Sequence, residues 1–264
     1  MKLHLHTIKA ILLQEFYMTK RSLEIIVDVF YFSVVTVVVY GLTTSYFTRQ
    51  SNQIYPHYLY VGLLLWEIIR INQYTLSVGA LWNIWSHNLT NMFVGPLSIA
   101  EYLFSYMFSG LFKSIIVFVG ISLMAKYLFQ FDIFSLGWIN LTTFYINLTI
   151  FSWTTGILIL GLIFKYGTRI QSIAWGLVFI FQPLTASFFP VDALPPLLQK
   201  VAYFMPPTYV FEAARAGLTN PLVDWHSFWI SLGLNVVYFA LSIWYFNAMF
   251  NSSKMNGQFV KNES

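Results

Sequence analysis

Few side chains in this sequence could do chemistry, and their spacing limits what they could do. Glu67 and Arg70 stand three residues apart inside an apolar run. That spacing puts them on one face of a helix, where they can pair. Lys113 lies inside another apolar run with no acid at helical spacing, so it either snorkels or pairs with Glu67 or Asp28 of another helix. Ions within apolar segments are costly and by default mark function. Pairing removes much of that cost for Glu67 and Arg70, so they read either as a structural pair or as a polar lining. Enzyme signatures are missing. No GxxxxGK[ST] loop occurs, so no nucleotide site of that kind is expected. His4 and His6 are two apart, while His57, His87 and His226 are scattered with no HExxH-like spacing for a metal. No Ser or His stands in a nucleophile-elbow setting. The absence of cysteine removes disulfides, zinc thiolates, iron–sulfur clusters and thiol nucleophiles. Catalytic, cofactor-binding and metal-binding residues are therefore expected to be none.

The elements that carry these residues follow from composition. Hydrophobic residues make up 58% of the 264-residue chain and charged residues only 9%, against about 25% charged in soluble domains. So few charges cannot coat a globule of this size, and most of the surface is expected to face lipid. Aromatic content of 20% suits interfacial belts. A bilayer core of about 30 Å takes about 20 apolar residues in a helix. Six such runs occur, near 25–47, 57–79, 102–125, 139–164, 171–189 and 226–250. They are too long for alternating barrel strands of about 10 residues. The expected fold is all-α integral membrane, one domain of six transmembrane helices over 25–250. An N-terminal interfacial helix over 1–24 precedes it, and a cytoplasmic tail over 251–264 follows. The first 24 residues hold six charges and no long apolar core, so no cleavable signal is read there. Instead Ile8, Ile11, Leu12 and Phe16 recur at helical spacing among Lys2, Lys9, Lys20 and Arg21, the pattern of a basic helix at the membrane interface.

Loop charges set the orientation. With the N-terminus cytoplasmic, Lys2, Lys9, Lys20, Arg21, Lys165, Arg169, Lys254 and Lys261 share one side, and Arg49, Lys126, Lys200 and Arg215 the other. Both termini are therefore expected inside. The loop between the second and third runs would be cytoplasmic too. There, Leu81, Ile84, Asn88, Leu89 and Met92 follow a 3.6 period up to Gly95-Pro96, which reads as a short surface helix. Its outward side, Asn83, Ser86, His87, Thr90 and Asn91, is polar and uncharged. Such a face suits a protein groove better than anionic lipid, which favours Lys and Arg. Between the fifth and sixth runs the chain turns proline-rich. A short helix over 197–204 is expected to stop at Pro206-Pro207, with a second over 209–218 capped by Thr208.

These features together resemble a family. The stretch from Ile84-Trp85-Ser86-His87-Asn88-Leu89 to Gly95-Pro96-Leu97-Ser98 and the Tyr166-Gly167 turn fit it. So do Gln182-Pro183-Leu184, Phe189-Pro190-Val191, Leu194-Pro195 and Pro207-Thr208-Tyr209-Val210-Phe211-Glu212-Ala213-Ala214-Arg215. The pattern is similar to the permease subunit of ATP-binding-cassette transporters of the type-2 exporter family, and most similar to its lipo-oligosaccharide and drug exporter branch. The resemblance implies a cytoplasmic coupling helix around 82–92, with Trp82, Asn83, Trp85, Ser86, His87 and Asn91 docking a separate ABC ATPase subunit. That partner would bind ATP and Mg; this chain would bind neither. The resemblance also implies two short extracytoplasmic helices before span six, forming an outer gate with Pro183, Pro190, Pro195, Pro207, Glu212 and Arg215. Pro183 would bend the fifth helix. Two copies would pair in the bacterial cytoplasmic membrane and export a lipid-linked, glycan or other amphipathic substrate. Partners would be the ATPase, a second copy and membrane lipid, with no nucleic acid. One departure is Asn83, where an acid is common. The competing readings are an ATP-independent transporter or channel, which would show mid-span acids or inverted repeats, and a membrane scaffold.

Overall fold

A computed structural model of the chain describes residues 4–50, 55–220 and 222–255. Lys2, Lys261 and the end of the expected tail lie outside them, as do the side chains of Arg49 and Thr90. Every regular element among the described residues is helical. Helix α1 is Leu5–Arg21 and α2 is Leu23–Ile26. Ser22 breaks them apart and caps α2, accepting from Ile25 N–H. A π-helical turn, Val27–Tyr31, joins α2 to α3, Phe32–Gln50. Then come α4, Tyr55–Trp85, α5, Leu89–Val94, α6, Ile99–Phe129, and α7, Trp138–Tyr166. Helix α8 is Gln171–Leu184, α9 Pro196–Ala202, α10 Pro206–Gly217 and α11 Trp225–Met255.

Among the described residues, four stretches are long and apolar enough to cross a membrane: Leu23–Phe47, Ile99–Phe129, Trp138–Leu184 and Trp225–Met255. The third contains two of the expected spans, α7 and α8. Gly167, at φ 67°, breaks the helix between them, and Phe151 of α7 meets Phe181 of α8 with ring centroids 5.6 Å apart. That contact requires α8 to fold back along α7 as a hairpin. The remaining expected span, α4, is long but fails on apolarity, because Glu67, Arg70, Asn72, Gln73 and Ser77 fall within it.

Helix α4 is nonetheless the centre of the bundle. It packs on α3, α6, α7, α8 and α10, and from Tyr60 to Leu81 all but Arg70 is buried. The outer helices show the reverse, with Trp229, Val236 and Trp244 of α11 exposed where lipid would lie. Small residues bring backbones together, as in other membrane bundles. At Gly62 of α4, an added Cβ would stand 2.0 Å from the Ser187 carbonyl oxygen. Gly62→Ala should therefore push α4 from the segment after α8, at a cost of about 1–3 kcal/mol. A lower midpoint of thermal unfolding in detergent checks this.

The structure corrects three local readings. Pro183 does not bend a longer fifth helix, because α8 ends at Leu184, one residue later, and Ala186 turns left-handed at φ 50°. Pro206 and Pro207 do not stop a helix but begin α10, since proline's missing N–H is an orphan in a first turn anyway. Thr208 does not cap; its hydroxyl donates to Ala202 O at 2.7 Å. The sixth span also runs on to Met255, taking in the first five residues of the expected tail.

Candidate functional site

The polar residues of α4 organise the interior. Arg70 and Glu67 do pair, with Arg70 Nη2 2.7 Å from Glu67 Oε2 and Arg70 Nε within 3.1 Å of both carboxylate oxygens. Glu67 is only 2% exposed, so its charge depends on that guanidinium. Helix α3 completes the set. Arg70 Nη2 donates to Ser33 Oγ, and Ser33 Oγ donates to Glu67 Oε2 at 2.6 Å. In the π-helical turn, Phe32 N–H reaches five residues back to Val27 O, and the Asp28 carbonyl accepts from Arg70 Nη1 at 2.8 Å. Such single π turns often sit at functional sites. The Asp28 carboxylate accepts the Tyr74 hydroxyl at 2.9 Å and forms no ion pair among the described residues.

Lys113 pairs with neither Glu67 nor Asp28. Its ammonium lies 2.9 Å from Glu15 Oε2 on α1, and the Ser109 hydroxyl donates to the same oxygen. Both ions of the pair are largely buried. The buried face of α1 is thus Ile11 and Glu15, and Phe16 of the expected apolar stripe is exposed. At the start of α6, His4 N–H donates to Glu101 Oε1 at 2.6 Å. Glu101 also closes a capping box with Ser98, a reciprocal pairing that satisfies two orphan donors of the helix. Contacts of α1 therefore climb along α6 from Glu101 to Lys113.

The expected coupling segment differs from a single short helix. Helix α4 continues through Trp85, and the chain breaks at Ser86-His87, with His87 at φ 53°. Helix α5 then begins at Leu89. Asn83 does not face outward; it is fully buried. Its amide donates to Tyr106 Oη and Gly79 O, and its Oδ1 accepts from Gln14 Nε2 at 3.0 Å. Neutral hydrogen bonds to Asn83 stand where an acid would need a cation. Trp82 is half-buried, while Trp85, Ser86, His87 and Asn91 are exposed. These four form the accessible rim at this end of α4.

At the other end, Pro190 and Pro195 flank a 3-10 turn, Val191–Ala193. Glu212 Oε1 accepts from Val191 N–H at 2.8 Å and from Arg215 Nη2 at 2.8 Å. Arg215 is buried to 3% exposure and donates to Ser187 O. Arg215 therefore holds this segment together and is no loop charge. Further polar contacts between helices escaped sequence reading. Asn235 of α11 donates to Asn147 O of α7 at 3.0 Å, and Gln73 Nε2 donates to Ala174 O of α8 at 3.0 Å.

The described residues form a multi-pass helical bundle with a paired polar core and a broken helix at one end. A family model described as ABC-2 type transporter matches residues 6–219, and the chain belongs to that family. It is the membrane-embedded permease subunit of an ABC transporter, a class that works with an ABC ATPase partner. No curated protein matches the chain.

Proposed function

We propose that two copies of this chain form the membrane path of an ATP-driven exporter in a bacterial cytoplasmic membrane. ATP and Mg are bound by a separate ATPase, and hydrolysis occurs there. The ATPase docks at the exposed rim Trp85, Ser86, His87 and Asn91, with both termini on the same cytoplasmic side. One observation carries this reading. The rim lies at and just beyond the accessible end of α4, and α4 touches α3, α6, α7, α8 and α10 together. A push at the rim reaches these five helices through one buried rod. The segment from Pro190 to Gly217 forms the outer gate. The cargo is lipid-linked, glycan or otherwise amphipathic.

Purifying the tagged chain from its native membrane in mild detergent tests the reading. A phosphate-loop ATPase recovered in near-equal amount supports it, and a stable chain recovered alone would sink it. The variant Ser86→Glu/His87→Glu should insert normally and lose most ATP-dependent transport; unchanged transport would exclude the rim as the docking surface. Tags on both ends should be inaccessible from outside intact cells.

A further inference from the structure

Two cavities adjoin at Asp28, Tyr74 and Trp175. One, of about 350 Å³, lies between α3, α4 and α8 and is walled by Tyr40, Trp66 and Phe179 beside Glu67 and Arg70. The other, of about 470 Å³, adds Glu24, Trp82 and Trp85. Their charges do not balance. Glu67 is neutralised by Arg70. The half-buried Asp28 carboxylate accepts the Tyr74 phenol and feels Arg70 only through space, and Glu24 has no ion pair among the described residues. Among the described residues, Arg70 is the only Lys or Arg on either wall. Three acids, Asp28, Glu67 and Glu24, against the single cation Arg70 therefore line space walled by indole and phenol rings. Ring faces attract cations, a carboxylate in low dielectric does so more strongly, and the same groups repel anions.

We propose that these adjoining cavities bind an amphipathic organic cation, with its charge at Asp28 and its apolar body against Trp66, Tyr74 and Trp175. The inference deepens the permease reading and rests on it for the ligand's role as cargo. Glu24 lies at the edge of the second cavity and draws the cation in, and the π-helical turn aims Asp28 toward the point where the cavities meet.

Equilibrium dialysis of the full chain in neutral detergent tests it with two probes of nearly equal size and shape, tetraphenylphosphonium and tetraphenylborate. The cation should bind saturably and the anion at least about tenfold more weakly. Asp28→Asn should weaken cation binding about tenfold, Asp28→Glu should retain it, and Glu24→Gln should weaken it about two- to threefold. Equal binding of both ions, which is partition into an apolar space, would overturn the proposal. So would unchanged cation affinity in a well-folded Asp28→Asn protein. Should that variant not fold, Glu24→Gln decides, because the Glu24 side chain is exposed; unchanged affinity there would overturn the proposal. The assay contains no ATPase, so its outcome is separate from that of co-purification. A chain that binds no cation yet recovers its ATPase keeps the permease reading and loses this one.

Discussion

Replacing Arg70 by leucine should cost about 3–5 kcal/mol of stability, because it leaves the Glu67 carboxylate buried without a counter-charge. The loss reaches further than the pair. Arg70 also donates to the Asp28 carbonyl and to Ser33 Oγ, so its removal unties α3 from α4. The double variant Glu67→Leu/Arg70→Leu should recover most of the loss, since an apolar pair of similar volume often replaces a buried ion pair at little cost. Thermal unfolding in detergent separates the cases. A double variant as unstable as the single one would show that the pair is not what holds these helices. If the double variant is stable but does not transport, the pair has a role beyond folding.

The second large effect is expected at Glu15. Glu15→Ala leaves Lys113 largely buried without the one carboxylate that pairs with it among the described residues, again at a cost of about 3–5 kcal/mol. The expected result is release of α1 from α6, read as faster proteolysis after Lys20 or Arg21 while α6 and α7 stay protected. Lys113→Met on the Glu15→Ala background should restore protection, because methionine keeps the apolar stem and removes the orphan charge. If the single variant keeps α1 protected, the contacts His4–Glu101 and Gln14–Asn83 suffice to hold it. The Gln14 contact ties this prediction to function, since Asn83 lies two residues from the exposed rim.

The sequence made the rods legible because a lipid-facing helix has little choice of residue. It was less clear wherever a polar side chain had two possible partners. Asn83 sits at helical spacing with Ser86 and His87 and so reads as outward. Its partners Tyr106 and Gln14 are brought to it only by the packing of α6 and α1. Glu15 and Lys113 are 98 residues apart, and no local spacing joins them. A sign existed, in that Glu15 interrupts the apolar stripe of α1 at the position that faces α6. The prolines at 206 and 207 were ambiguous for another reason. Proline both ends a helix and opens one, and only the tertiary position of α10 decides. The break at Ser86-His87 was hidden because apolar residues continue in phase across it.

The burial of α4 also bears on how the chain is made. A helix holding Glu67, Arg70, Asn72 and Gln73 gains too little from lipid to partition alone as it leaves the ribosome, since each ion at mid-helix costs about 2.5–3.5 kcal/mol on insertion scales. It becomes acceptable once Ser33 and the Asp28 carbonyl cover the pair, and both belong to the span synthesised just before it. Insertion of α3 and α4 as one hairpin is therefore expected. A truncated chain ending at Trp85 should insert α4 poorly when the preceding span, Leu23–Phe47, is deleted, and efficiently when it is present.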